Sequence, residues 1–127
     1  MAVKNPYDKY SNQSVLTASP EKLTLMLYDG ALKFVNQGIA ALDEKDYMKK
    51  NEMIQKAENI IRELQLTLKD GYEITPNLKS LYDYIYRRLM EGNMRRDKKA
   101  LEEARDLIKE FRDMWREAMK VSGQHAS

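Results

Sequence analysis

The sequence predicts an all-α fold, an antiparallel four-helix bundle preceded by an N-terminal extended or short-helical arm. Three observations predict it. Helix-favouring residues dominate the 127-residue chain, against only 5 Gly and 3 Pro. Two of the prolines follow a hydroxyl residue, in Ser19-Pro20 and Thr75-Pro76, the pairing that opens helices. Between these marks the apolar residues recur at steps of three and four. The length suits one domain, a size that buries about two-thirds of its unfolded surface.

The elements follow in order. Residues 1–18 are polar, hold Pro6 and show no sustained period, so they read as the arm. Ser19 caps the first helix, Pro20 takes its first position, and the helix runs to about Glu44. The second is expected from about Asp46 to Lys69, stopping at Asp70-Gly71. The third starts at Thr75-Pro76 and ends near Gly92. Asp97 caps the fourth, from Lys98 to Val121, and residues 122–127 form a flexible tail. The short links make successive helices antiparallel neighbours. No internal sequence repeat is visible.

Three helices carry one apolar stripe each: Ile54, Ala57, Ile61, Leu64 and Leu68 on the second; Leu78, Leu81, Tyr82, Ile85 and Leu89 on the third; Leu101, Ala104, Ile108, Phe111, Trp115 and Ala118 on the fourth. The first helix carries two. Leu23, Leu27, Ala31, Phe34 and Ala41 form one, and Leu25, Tyr28, Leu32, Val35, Ile39 and Leu42 the other. Together they cover roughly 200° of the helix, twice what a one-sided helix needs. Two explanations stand. The helix is central, with the arm covering its second face; or that face receives a partner segment, with the arm as a lid. Gly30 and Gly38 fit a close approach of another backbone. Tyr84 points away from the side of Tyr82, Ile85 and Leu89, and so is a candidate contact for a partner.

Composition excludes several kinds of chemistry. No cysteine leaves no disulfide, thiolate site or Cys nucleophile, and the one histidine, His125, is the third residue from the end as written. A Glu-x-x-His metal pair is absent from the sequence, as is a Gly-rich phosphate loop. The expectation is no enzyme, no cofactor, no metal and no small-molecule substrate. No apolar run reaches membrane-spanning length, and the first residues lack the form of a secretory signal, so a cytoplasmic protein without membrane insertion is expected. Net charge is only +2. The basic cluster Arg87, Arg88, Arg95, Arg96, Lys98 and Lys99 offers the alternative of a small RNA-binding bundle. Glu102, Glu103, Asp106 and Glu110 follow at once, and no aromatic is interleaved, so no nucleic-acid partner is expected.

One stretch is more specific than any of these patterns. Leu16-Thr17-Ala18-Ser19-Pro20-Glu21-Lys22-Leu23, followed by Met26-Leu27-Tyr28-Asp29-Gly30, resembles the flagellar protein FliS family closely. The resemblance continues through Ala57 to Leu64, Leu78 to Tyr84 and Leu107 to Trp115, about residues 5–120 in all. Gly92 stands where the family usually has Ala. The resemblance implies an antiparallel helical bundle without enzymatic activity, the cytoplasmic export chaperone of flagellin. It implies binding of flagellin's C-terminal segment, prevention of premature polymerisation, and delivery of the complex to the flagellar type III export gate. It also implies an N-terminal region that covers part of the binding surface and shifts on binding. Joined to the double stripe, this makes Leu25, Tyr28, Leu32, Val35 and Ile39 the expected client face. Tyr7, Tyr10 and Val15 become its lid, and Tyr84 a further contact. On this reading Leu32→Glu weakens client binding far more than it unfolds the bundle.

Overall fold

The computed structural model describes residues 19–68 and 75–126, with side chains for 19–68 and 76–120. Four helices follow in order: α1 (Pro20–Asp43), α2 (Tyr47–Leu66), α3 (Thr75–Arg95) and α4 (Lys98–Ala126). The described residues contain no strand. Each helix packs on its two sequence or ring neighbours, α1 on α2 and α4, α3 on α2 and α4, so the four close into a square. This is the predicted all-α bundle. The arm, residues 1–18, and the Asp70-Gly71 stop lie outside the described residues.

Local chemistry sets the helix ends. The Ser19 hydroxyl accepts from the Lys22 amide at 3.3 Å, and Pro20 occupies the first turn, where its missing N–H has no partner to lose. α2 closes at Leu66, short of the expected Lys69, because Thr67 turns back on it. The Thr67 amide donates to Glu63 O and its hydroxyl to Leu64 O at 2.8 Å. α3 passes Gly92 and ends at Arg95, and α4 continues beyond Val121 to Ala126.

The α1–α2 and α3–α4 reversals are built alike. Lys45 and Arg96 adopt the left-handed conformation, at φ 60° and 52°. The next residue's amide then reaches back to a last-turn carbonyl, Asp46 to Ala41 at 2.9 Å and Asp97 to Gly92 at 3.0 Å. Each Asp caps the following helix, accepting from Lys49 at 3.2 Å and Ala100 at 3.3 Å. Neither turn uses the glycine such a position favours.

The core joins Ala31, Phe34 and Val35 of α1, Ile54, Ala57 and Ile61 of α2, Ile85 and Leu89 of α3, and Leu101, Ala104 and Ile108 of α4. Tyr28 and Tyr82 meet across the diagonal, where their hydroxyls bond to each other. Burial pushes both phenols up, well away from ionisation at neutral pH. Two glycines let the helices close. A methyl on Gly38 would stand 2.8 Å from Ile54 Cγ1 and nearer still to Cδ1. One on Gly92 would meet Leu101 Cδ2 at 2.6 Å and Asp97 O at 3.1 Å. Gly38 therefore fits an approach of the α2 side chain Ile54 more than of backbone.

Among the described residues one charge is buried. Lys50 is 3% exposed and donates to Asn93 O at 2.7 Å, with no carboxylate partner among the described residues. The Asn93 side-chain oxygen beside this contact is buried with no hydrogen-bond partner. Burial, then the Arg96 charge, pulls the Lys50 pKa below its ordinary value.

Two outcomes are expected. Gly38→Ala should destabilise by about 1–3 kcal/mol despite alanine's better helix propensity, because Ile54 is fully packed and cannot yield. Urea denaturation measures this, and adding Ile54→Val should recover part of the loss. Lys50→Met loses one charged hydrogen bond of about 1.5–3 kcal/mol but removes a desolvation cost of several kcal/mol. It should raise the melting temperature at pH 7. The wild-type lysine has a lowered folded pKa, so its penalty is full below that pKa and fades as pH rises toward 10.5. The advantage of Lys50→Met should therefore shrink between neutral pH and pH 10.5.

Candidate functional site

The double stripe of α1 is explained first by its neighbours. Lys56 of α2 lies over the Phe34 ring at 5.4 Å, and Ile54 of α2 is at Gly38. On the other side Asp29 pairs with Arg112 of α4 at 3.4 Å, and Asp43 with Lys98 at 3.0 Å. Asp29 shares a side with Leu25 and Leu32, and Asp43 with Ile39, by helical spacing. The stripe that looked spare is the one turned toward α4.

This corrects the expected client face. Tyr28 is 4% exposed, Leu32 7%, Val35 0% and Ile39 7%. These four belong to the core, because α4 completes the coverage that the stripe pattern left unassigned. Leu25 differs, being only partly buried. So are Leu23, Met26 and Leu27, and with Leu25 they point in three directions around the first turns of α1, Leu23 and Leu27 sharing one. The flanking helices leave each of the four partly exposed. This end of α1 is tied to α4 by Trp115, whose indole N–H donates to Glu21 O at 2.9 Å. Trp115 and Met119 are partly buried beside it. α4 continues for eleven residues past Trp115. Residues 1–18 enter α1 at this end, and Tyr7, Tyr10 and Val15 lie outside the described residues.

Tyr84 does point outward, with 38% exposed, but its hydroxyl donates to Glu103 of α4. That carboxylate, together with burial, holds the phenol pKa up. Arg88 Nε donates to the same Glu103 carboxylate at 3.0 Å and pairs with Glu91 at 3.1 Å. The α2–α3 seam is stitched by Gln65 to Asp83 at 2.7 Å and by Arg62 stacked on Tyr86 at 3.9 Å. The basic cluster does not form one patch. Arg88 is engaged by α4, Arg96 stacks on Tyr47 of α2 at 3.6 Å, and Arg87 Nε donates to its own helix at Asp83 O, 3.4 Å away.

Sequence reasoning missed the burial of Lys50, since nothing in its flanks marks it as inward. It also passed over Met48 and Met94, which are 85% and 75% exposed, and Met114, expected to widen the apolar stripe of the fourth helix, is 59% exposed instead. Among the described residues no group of three or more His, Cys, Asp or Glu side chains is placed to hold a metal, and no helix is long and apolar enough to cross a membrane.

The family profile described as flagellar protein FliS matches residues 3–122. The chain belongs to the FliS family. Among its relatives, the flagellar secretion chaperone FliS of Bacillus subtilis strain 168 is 43% identical over 120 residues, covering 94% of this chain and 90% of the relative. The flagellar secretion chaperone FliS of Salmonella typhimurium is 37% identical over 107 residues, covering 82% and 79%. A crystal structure of a bacterial flagellar chaperone superposes with a TM-score of 0.74 at 22% identity, covering 90% of this chain and 94% of that one. FliS membership carries the roles of chaperone and flagellum biogenesis; the last comparison carries the four-helix fold alone.

The geometry reverses the expectation for Leu32→Glu. A carboxylate at a site 7% exposed has no partner there, so the substitution should cost more than about 3 kcal/mol and broaden or abolish cooperative thermal unfolding by circular dichroism.

Proposed function

We propose that this protein is a cytoplasmic, non-enzymatic export chaperone that binds the disordered C-terminal segment of flagellin. Holding that segment prevents premature polymerisation and keeps the subunit fit for delivery to the flagellar type III export gate. The observation that carries the reading is the FliS match along nearly the whole chain, with relatives that are flagellar secretion chaperones.

The site in this reading is the end of the bundle where α1 begins. Leu25 and Met26, partly exposed on α1, and Trp115 and Met119 on α4 offer the apolar surface. The arm residues Tyr7, Tyr10 and Val15 act as a lid that the client displaces. Tyr84, on the α3–α4 seam, is a second contact. A disordered segment that folds on such a surface buries on the order of 1,000–3,000 Å² and loses several kcal/mol in ordering. Much of the contact must therefore be apolar, and methionine adapts well to such a role.

Co-expression with flagellin should yield a complex, and removal of flagellin's C-terminal segment should abolish it. Retention of the complex after that truncation would refute the reading. Leu25→Glu with Met26→Glu should weaken binding at least about tenfold by calorimetry while shifting the melting temperature little, the reverse of Leu32→Glu.

A further inference from the structure

Met48 and Met94, two of the most exposed apolar side chains among the described residues, stand at one end of the α2–α3 seam. There Tyr47 takes the Arg96 guanidinium on its ring, and Lys50 reaches Asn93 O. Met48 follows Tyr47 and Met94 follows Asn93, so each stands about 100° around its helix from a residue that makes the seam. Met90, one turn before Met94, is exposed on the same side of α3. A single exposed apolar residue needs no explanation, but three methionines along one seam form a patch.

Cations gather at this end. Residues 43–50 and 93–99, the two reversals and the helix ends they join, hold seven cations and four carboxylates, a larger excess than the +2 of the whole chain. Most of those carboxylates are already committed. Asp46 and Asp97 cap α2 and α4, and Asp43 is held by Lys98 at 3.0 Å, which leaves Glu44. Carboxylates within helical reach of the remaining cations are engaged elsewhere. Glu52, three residues from Lys49, pairs with Lys56 at 3.4 Å, and Glu91, four from Arg95, pairs with Arg88 at 3.1 Å. Lys45, Lys49, Arg95 and Arg96 have no ion-pair partner among the described residues. After burial itself, the Arg96 charge helps to lower the pKa of Lys50, as a positive potential left unneutralised does. Two helices begin here and two end, so their dipoles offset one another and leave the excess standing.

We infer that this end of the α2–α3 seam is a docking surface for an acidic segment of another protein, one that carries large apolar side chains between its carboxylates. The methionines offer adaptable apolar contact. Lys49, Arg95 and Arg96 supply the complementary charge at the rim, where it speeds encounter and selects the sign of the partner. A nucleic acid would need a free ring for stacking, and Tyr47 is taken by Arg96. A lipid surface would need one helix with a broad apolar face, and these methionines come from two helices, among polar residues. The surface lies at the opposite end of α1 from Leu25, about 30 Å along the helix axis. A partner can therefore dock here while the start of α1 is occupied. Docking here does not rest on the identity of the client.

Phage-displayed random peptides of about twelve residues, selected on the full chain and counter-selected on M48S with M94S, test this. The surviving peptides should combine Asp or Glu with large apolar residues and bind the wild type with dissociation constants on the order of 10–100 μM. M48S with M94S should weaken them at least about tenfold, and M114S, equally a loss of one exposed methionine, should not. K49E with R95E should weaken them as much, and the same selection repeated on that variant should return basic peptides. The methionine variant keeps every charge, so it tests the surface apart from any effect of charge reversal on folding, and circular dichroism checks the helicity of each. The inference is overturned if no peptide distinguishes the wild type from M48S with M94S, or if the survivors carry no acidic excess. It is equally overturned if phosphatidylglycerol vesicles or a single-stranded RNA bind at these residues and the acidic peptides do not.

Discussion

The structure depends on α1 being covered from two sides. Its apolar arc spans about half the helix circumference, and neither α2 nor α4 alone is wide enough to take it. Ile54 of α2 enters against Gly38, while α4 lies along the side of Leu32 and Ile39. Once α1 is held between them, α3 has one place left, diagonal to α1 and touching both outer helices. The Tyr28–Tyr82 hydroxyl pair marks that diagonal. Removing either flank would expose a core surface of α1, so the two hairpins stabilise each other rather than standing alone.

Much of the fold could be read from the chain. Ser19-Pro20, Asp46 and Asp97 mark helix starts because capping is local chemistry, complete within a turn. Helix ends were less legible. Thr67 ends α2 through hydrogen bonds to its own last turn, and α3 runs past Gly92 because that glycine answers to Leu101, not to a turn. The site was legible only in part. Periodicity shows that a residue needs cover but not what covers it, so Tyr28, Leu32, Val35 and Ile39 looked open while α4 was unplaced. Leu25 and Tyr84 remain on the surface. Lys50 was invisible for the opposite reason, since a charged residue in a polar stretch gives no sign of being buried.

No repeat is visible in the sequence, yet the two hairpins share a plan. Lys45-Asp46 and Arg96-Asp97 stand 51 positions apart and make the same turn. At that offset buried positions coincide: Phe34 with Ile85, Gly38 with Leu89, Ala41 with Gly92, Ala57 with Ile108. Lys50 coincides with Leu101, which shows what an equivalent position holds when it follows the plan. Equal burial with unequal residues is how a structural repeat disappears from the letters. The left-handed basic residue in each turn sits at a helix C-terminus, where its charge meets the negative end of the dipole.

The single tryptophan of the chain stands where α4 crosses the beginning of α1, its indole tied to Glu21 O. The protein thus carries its own optical reporter at one seam. Its emission wavelength follows the wetness of that junction and no other, so light absorbed by one side chain distinguishes an opening of this end from a melting of the whole. Time-resolved fluorescence on the unlabelled molecule can therefore follow the movement of a single contact.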